Sequence, residues 1–118
     1  MRVRLAAVLL ASLCALAVRP AIAGTQTGFV KDLYVRDSDG LILVDLFGSV
    51  DFGDRHPACG WQRYWIVPNE TTNSGKRLFA TLLAALISGH KITIHGKNTC
   101  GRWRDGEDID TVGVKDVY

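Results

Sequence analysis

Between residues 101 and 106 the chain reads Gly101-Arg102-Trp103-Arg104-Asp105-Gly106, which sets one indole between two guanidinium groups and next to a carboxylate. An indole face can stack on the apolar C–H face of a sugar or on a base, while charged groups beside it hydrogen-bond hydroxyls. Arg102, Trp103, Arg104 and Asp105 are therefore the candidate ligand contacts. A second aromatic group lies upstream, at Trp61, Tyr64 and Trp65. Alternation along an extended segment puts Trp61, Arg63 and Trp65 on one face and Gln62, Tyr64 and Ile66 on the other. Tryptophan is usually well buried, so Trp61 and Trp65 are expected to be core. Burial also gives Trp103 a second reading, as a cover over one end of the domain.

Other chemistries find little support. No nucleophile–base pair stands out, so no catalytic residue is assigned and the chain is not expected to be an enzyme. His90 and His95 are five apart and would point to opposite faces of an extended strand. A zinc site from His56, Cys59, His95 and Cys100 lacks a paired C-x-x-C framework, and neither a metal nor another cofactor is expected. Asn73-Ser74-Gly75-Lys76 lacks the first glycine of a phosphate loop and has Arg77 where Ser or Thr is required. Asp37, Asp39 and Gly40 resemble the start of a calcium loop, but no acid follows at position twelve, and a plain turn is favoured. Asn69-Glu70-Thr71 matches the glycosylation sequon, which matters only in a eukaryotic secretory pathway.

The first 23 residues set the compartment. Arg2 and Arg4 open them, an apolar run from Leu5 to Val18 follows, and Ala21-Ile22-Ala23 closes them in small-residue style. This is the layout of a secretory signal peptide with cleavage after Ala23, and the destination is periplasmic or extracellular. The run is short for a membrane span, and so is the later apolar stretch Leu78 to Ile87, so no span is expected after cleavage. Residues 1–23 hold Arg2, Arg4 and Arg19 of the 14 basic residues and none of the 12 acidic ones; residues 24–118 thus carry 11 basic groups and a net charge of −1. A basic field of the kind that binds nucleic acid is absent. Of the three cysteines, Cys14 falls in the leader, which leaves Cys59 and Cys100 as an expected disulfide. It would close a loop of about 40 residues, for which chain entropy suggests roughly 4 kcal/mol.

The remaining 95 residues suit one small domain, 24–118. Gly28 to Arg36 alternates around Phe29, Leu33 and Val35 and reads as a strand, and Asp37-Ser38-Asp39-Gly40 is a turn into a second strand, Leu41 to Phe47. A glycine-rich loop leads to a third strand, Trp61 to Val67, stopped by Pro68. Asn73 or Ser74 can cap a helix whose apolar stripe is Leu78, Leu82, Ala85 and Leu86, widened by Phe79 and Leu83 and ended at Gly89. Lys91 to His95 is a fourth strand, Gly96 to Asp108 a polar loop, and Ile109 to Tyr118 a fifth strand.

The order β-β-β-α-β-β is that of a mainly β, five-stranded, partly open Greek-key barrel of OB type, with the helix plugging one end; an α+β meander is the alternative. In such a barrel strands three and five are parallel and strand four is antiparallel to five. The start of strand three and the end of strand four then meet at one end, and these are the places of Cys59 and Cys100. The loop carrying Trp103 is one that such barrels use to contact oligosaccharides or oligonucleotides.

The block Gly75 to Gly89 followed by His90-Lys91-Ile92-Thr93-Ile94 is similar to small secreted bacterial proteins related to the B subunit of subtilase cytotoxin. The resemblance covers roughly Gly28 to Cys100 and rests on element order and on this helix–Ser-Gly–strand block. It implies an OB fold, assembly as a ring of five and glycan binding, with no sugar-contacting residue carried over. The expectation is an exported, non-enzymatic binding module for a glycan or a protein. The alternatives are an OB-fold binder of single-stranded nucleic acid, disfavoured by the charge and the export signal, and an envelope protein with a structural role. A homo-oligomer is implied by the resemblance. Ala80, Ala84 and Ser88 form a small-residue stripe that could seat another helix, though a solvated face is the favoured reading.

Overall fold

The computed structural model describes residues 23–48 and 63–115. The elements follow in the expected order: β1 (Thr25–Val35), β2 (Ile42–Phe47), β3 (Trp65–Ile66), α1 (Asn73–Ser88), β4 (Lys91–Gly96) and β5 (Glu107–Lys115). The strands close into a barrel in the order β1-β2-β3-β5-β4, with β4 returning onto β1. β3 and β5 are parallel and every other pair is antiparallel. The domain is a mainly β, OB-like five-stranded barrel with one helix.

β1 starts three residues earlier than its alternation indicates because it serves two partners. Thr25 to Gly28 pair with β4, and Phe29 to Val35 pair with β2. Gly28 sits at the changeover, where a Cβ would lie 1.7 Å from the Phe47 carbonyl oxygen, so only glycine lets the strands approach. A bulge between Val30 and Asp32 then shifts the register. This is why the alternation around Phe29, Leu33 and Val35 does not mark a single buried face: Val30 and, beyond the bulge, Leu33 pack on the core, while Phe29 is exposed.

The core comprises Val30, Ile42, Val44, Leu46, Trp65, Val67, Ile92, Ile94 and Ile109, joined by Leu82 and Ala85 of the helix. Trp65 is fully buried, as its position on the strand predicts. Its indole N–H donates to Gln26 Oε1 at 2.7 Å, and Gln26 Nε2 donates to the Gly48 carbonyl at 3.1 Å. Gln26 therefore carries a hydrogen-bond chain through the barrel, as a buried polar group must.

The helix begins at the predicted place with a different cap. Thr72, in extended conformation, accepts from Gly75 N at 3.0 Å through its hydroxyl, so Asn73 and Ser74 lie within the first turn. Gly75 is needed there because a Cβ would stand 1.7 Å from the Asn69 carbonyl oxygen. The left-handed Gly89 closes the other end and donates to Ala85 O at 2.9 Å. α1 packs on β1 and β5 along a narrower stripe than its sequence indicates. Leu82 and Ala85 are buried and Leu78 and Phe79 half-buried, whereas Leu83, Leu86 and Ile87 are exposed. A helix resting on a small barrel end by one edge covers only that edge. Ala80, Ala84 and Ser88 are all exposed. Among the described residues no helix is long and apolar enough to cross a membrane.

Candidate functional site

The β4–β5 loop is organised around one carboxylate. Asp108 accepts from Thr99 Oγ1 at 2.7 Å, from Gly101 N at 2.8 Å and from Arg102 N at 3.4 Å. Its own backbone closes the loop base, donating to Thr99 O and accepting from Lys97 N, each at 2.8 Å. Gly106 N donates to Trp103 O at 3.2 Å and makes a tight turn directly over β3: a Cβ on Gly106 would be 2.6 Å from Ile66 Cγ1. The segment that reads as a long polar loop is thus a compact structure pinned to the barrel wall. β5 accordingly starts at Glu107, two residues before the sequence indicates.

Arg102 ties this loop to two others. It donates from Nε to Glu70 Oε2 at 3.1 Å and from Nη2 to Glu70 Oε1 at 2.8 Å, and Nη2 also donates to the Asp39 carbonyl at 2.8 Å. Glu70 lies just before the helix, and Asp39 lies in the β1–β2 turn. Asp39 in turn accepts from Arg36 Nε at 2.9 Å and Nη2 at 2.6 Å and from Leu41 N at 3.2 Å. The hydrogen bonds from Arg36 hold the Asp39 carboxyl well below the usual carboxylate range, and those from Arg102 lower that of Glu70. Arg102 is therefore engaged in joining loops. Arg104 is exposed and Asp105 half-buried on the same loop.

Trp103 does not stand alone. Its ring lies 6.5 Å from that of Tyr64, tilted by 50°, and Tyr64 meets Tyr34 edge-on at 6.1 Å. The three rings form a row running from the β4–β5 loop across the outside of the barrel. Beside them Tyr34, Val35, Arg36, Leu43 and Tyr64 line an open cleft of about 410 Å³. Register explains the assembly: Tyr34 is opposite Leu43 and Leu43 is opposite Ile66, which places Tyr64, two residues before Ile66, on the same outer face. Tyr34 is 48% exposed, a large apolar surface to leave in water.

Of the four candidate contacts, Trp103 joins this aromatic row, Arg102 braces it, and Arg104 and Asp105 stay on the loop rim. Tyr34, Arg36 and Leu43 are members that the sequence reading overlooked. The available signal was an aromatic residue at a strand position next to a turn, but assigning its face requires the bulge. Cys59, Trp61 and His56 lie outside the described residues. Cys100 lies half-buried at the end of the barrel that carries the loop. His95 shares a hydrogen bond with Thr25 Oγ1 at 3.1 Å, and among the described residues no group of three or more His, Cys, Asp and Glu side chains could hold a metal. The chain matches no protein-family model, no curated protein and no solved structure.

Proposed function

We propose that this protein is an exported, non-enzymatic binding module that takes a glycan on the outer face of β1, β2 and β3. The observation that carries the reading is the aromatic row Tyr34–Tyr64–Trp103 beside an open, carbon-walled cleft. Barrels of this type bind oligosaccharides and oligonucleotides on this face, next to the β1–β2 and β4–β5 loops. Pyranose rings offer apolar C–H faces to stack on aromatic rings, with hydroxyls at the edge for Arg104 and Asp105. The brace from Arg102 to Glu70 and Asp39 holds both loops in place before a ligand arrives, which lowers the ordering cost of binding. Residues 1–23 act as the export signal, and Cys59 pairs with Cys100 to tether the loop at its start.

The same row could stack bases, but the net charge of −1 over residues 24–118 gives no basic groove to follow a phosphate backbone. A glycan array on the exported protein, with a salt-dependent oligonucleotide titration beside it, separates the two. Glycan binding that Trp103→Ala and Tyr64→Ala weaken is the expected result. Salt-sensitive oligonucleotide binding without glycan binding overturns the proposal.

A further inference from the structure

Glu107 opens β5 with its side chain turned into the barrel and no solvent exposure. Both its carboxylate oxygens accept from one nitrogen, the backbone N of Gly24, Oε1 at 3.2 Å and Oε2 at 3.1 Å. The surroundings are shaped for the carboxylate. A Cβ on Gly96 would stand 1.2 Å from Oε2 and 2.9 Å from Trp65 Cζ3, so only glycine at 96 leaves the carboxylate its place. Gly24 is itself buried and held from its other side, where its carbonyl accepts from Gly96 N at 2.8 Å. Thr25 then enters the β1 ladder opposite His95.

An amide nitrogen has one hydrogen to divide between the two oxygens. An ammonium has three, together with the positive charge that stabilises a buried carboxylate. Ala21-Ile22-Ala23, the small-residue pattern of an export cleavage site, stands immediately before this nitrogen. The sequence signal and the buried acid thus converge on one atom from opposite ends of the chain.

We propose that Glu107 is the receptor for the chain's own α-amino group, created when the Ala23–Gly24 bond is cut. The inference rests on the export reading above. The step needs water and a peptidase that cuts after small residues. The C–N bond breaks, the water oxygen stays on Ala23 as part of a carboxylate, and both water hydrogens end on the Gly24 nitrogen, which becomes an ammonium. Processing thereby places an ammonium against the buried carboxylate.

The test uses the protein recovered after export of the full-length gene product. N-terminal sequencing is followed by acylation of amines at pH 8, with the protein folded and in urea. The expected result is an N-terminus at Gly24 whose α-amino group reacts about fivefold or more slowly in the folded protein, the loss of free amine at pH 8 that one pH unit of added proton affinity alone provides. Exposed Lys76 and Lys97 serve as internal standards and should show no such protection. Glu107→Gln keeps the shape and one acceptor oxygen but no charge, and should restore most of the lost reactivity. A Gly24 amine that reacts equally in both states, or protection unchanged in Glu107→Gln, overturns the charge pair while leaving the cleavage position intact. An N-terminus elsewhere overturns both. If Glu107→Gln does not fold, the wild-type ratio of rates decides alone. Glycan binding has no bearing on any of these outcomes.

Discussion

Arg102 and Glu70 form a bidentate pair across 32 positions of sequence, with donor–acceptor distances of 3.1 and 2.8 Å. The pair joins the β4–β5 loop to the segment that starts the helix, and through Asp39 to the β1–β2 turn as well. Three loops at the edge of the cleft thus behave as one body.

Arg102→Ala should cost about 1.5–3 kcal/mol, the range for hydrogen bonds to charged groups. Arg102→Lys should restore little, because an ammonium cannot fork onto two oxygens. The effect has a pH signature. The hydrogen bonds from Arg102 lower the Glu70 carboxyl below its ordinary value of 4.5, so the stabilisation is complete above that pH and is lost as pH falls through the folded value. Asp39 acts with the same sign. Urea midpoints measured from pH 7 downward should show the gap between wild type and Arg102→Ala closing in the acid range. A constant gap would mean that the pair contributes packing and not charge.

Thr72→Ala removes the acceptor for Gly75 N and should lower stability by about 1 kcal/mol. Ser74→Ala, one turn-position inside the helix, should change it by much less. Thermal melts of the two variants distinguish the cap in the structure from the one that residue type alone suggests.

Replacing either Cys59 or Cys100 should cost about 2–5 kcal/mol, as the loss of a native disulfide does in small exported domains. Thiol titration of the exported protein under denaturing conditions should find none free before reduction and two after. Two free thiols before reduction would remove the tether at the start of the β4–β5 loop.

Trp103→Ala should weaken glycan binding by about 1–3 kcal/mol, a range taken from base–aromatic stacking. Tyr34→Ala should act in the same direction with almost no effect on the melting temperature, since half of its side chain is already in water. Trp103 touches Tyr64 and is half-buried, so its loss should also bring a small fall in melting temperature. A large fall with binding intact would make Trp103 a plug for the barrel wall.

Much of this domain was legible along the chain. Strand and helix identities follow from local alternation and from the 3.6-residue stripe through Leu82 and Ala85. The order of elements matched one familiar barrel closure, with an α+β meander as the alternative, and Trp65 was recognisable as core because a tryptophan on a short β-branched strand has few other places to go. The turn at Gly40 was readable for the same local reason: its φ of +76° is cheap only for glycine. What the chain could not disclose depends on contacts between distant residues. The bulge after Val30 reverses which side chains face out, and it lies within the pairing of β1 with β2, beyond the point where β1 leaves β4. The row from Tyr34 through Tyr64 to Trp103 and the clasp of Arg102 on Glu70 and Asp39 arise only once register and closure bring separate segments together. Glu107 shows the division most plainly. Its residue type suggests a solvent-exposed loop end, yet a parallel strand pairing and the space left by Gly96 carry it into the barrel against Gly24. Periodicity is written into neighbouring residues. Register is decided by the whole barrel, since a shift of one residue would exchange its inner and outer faces.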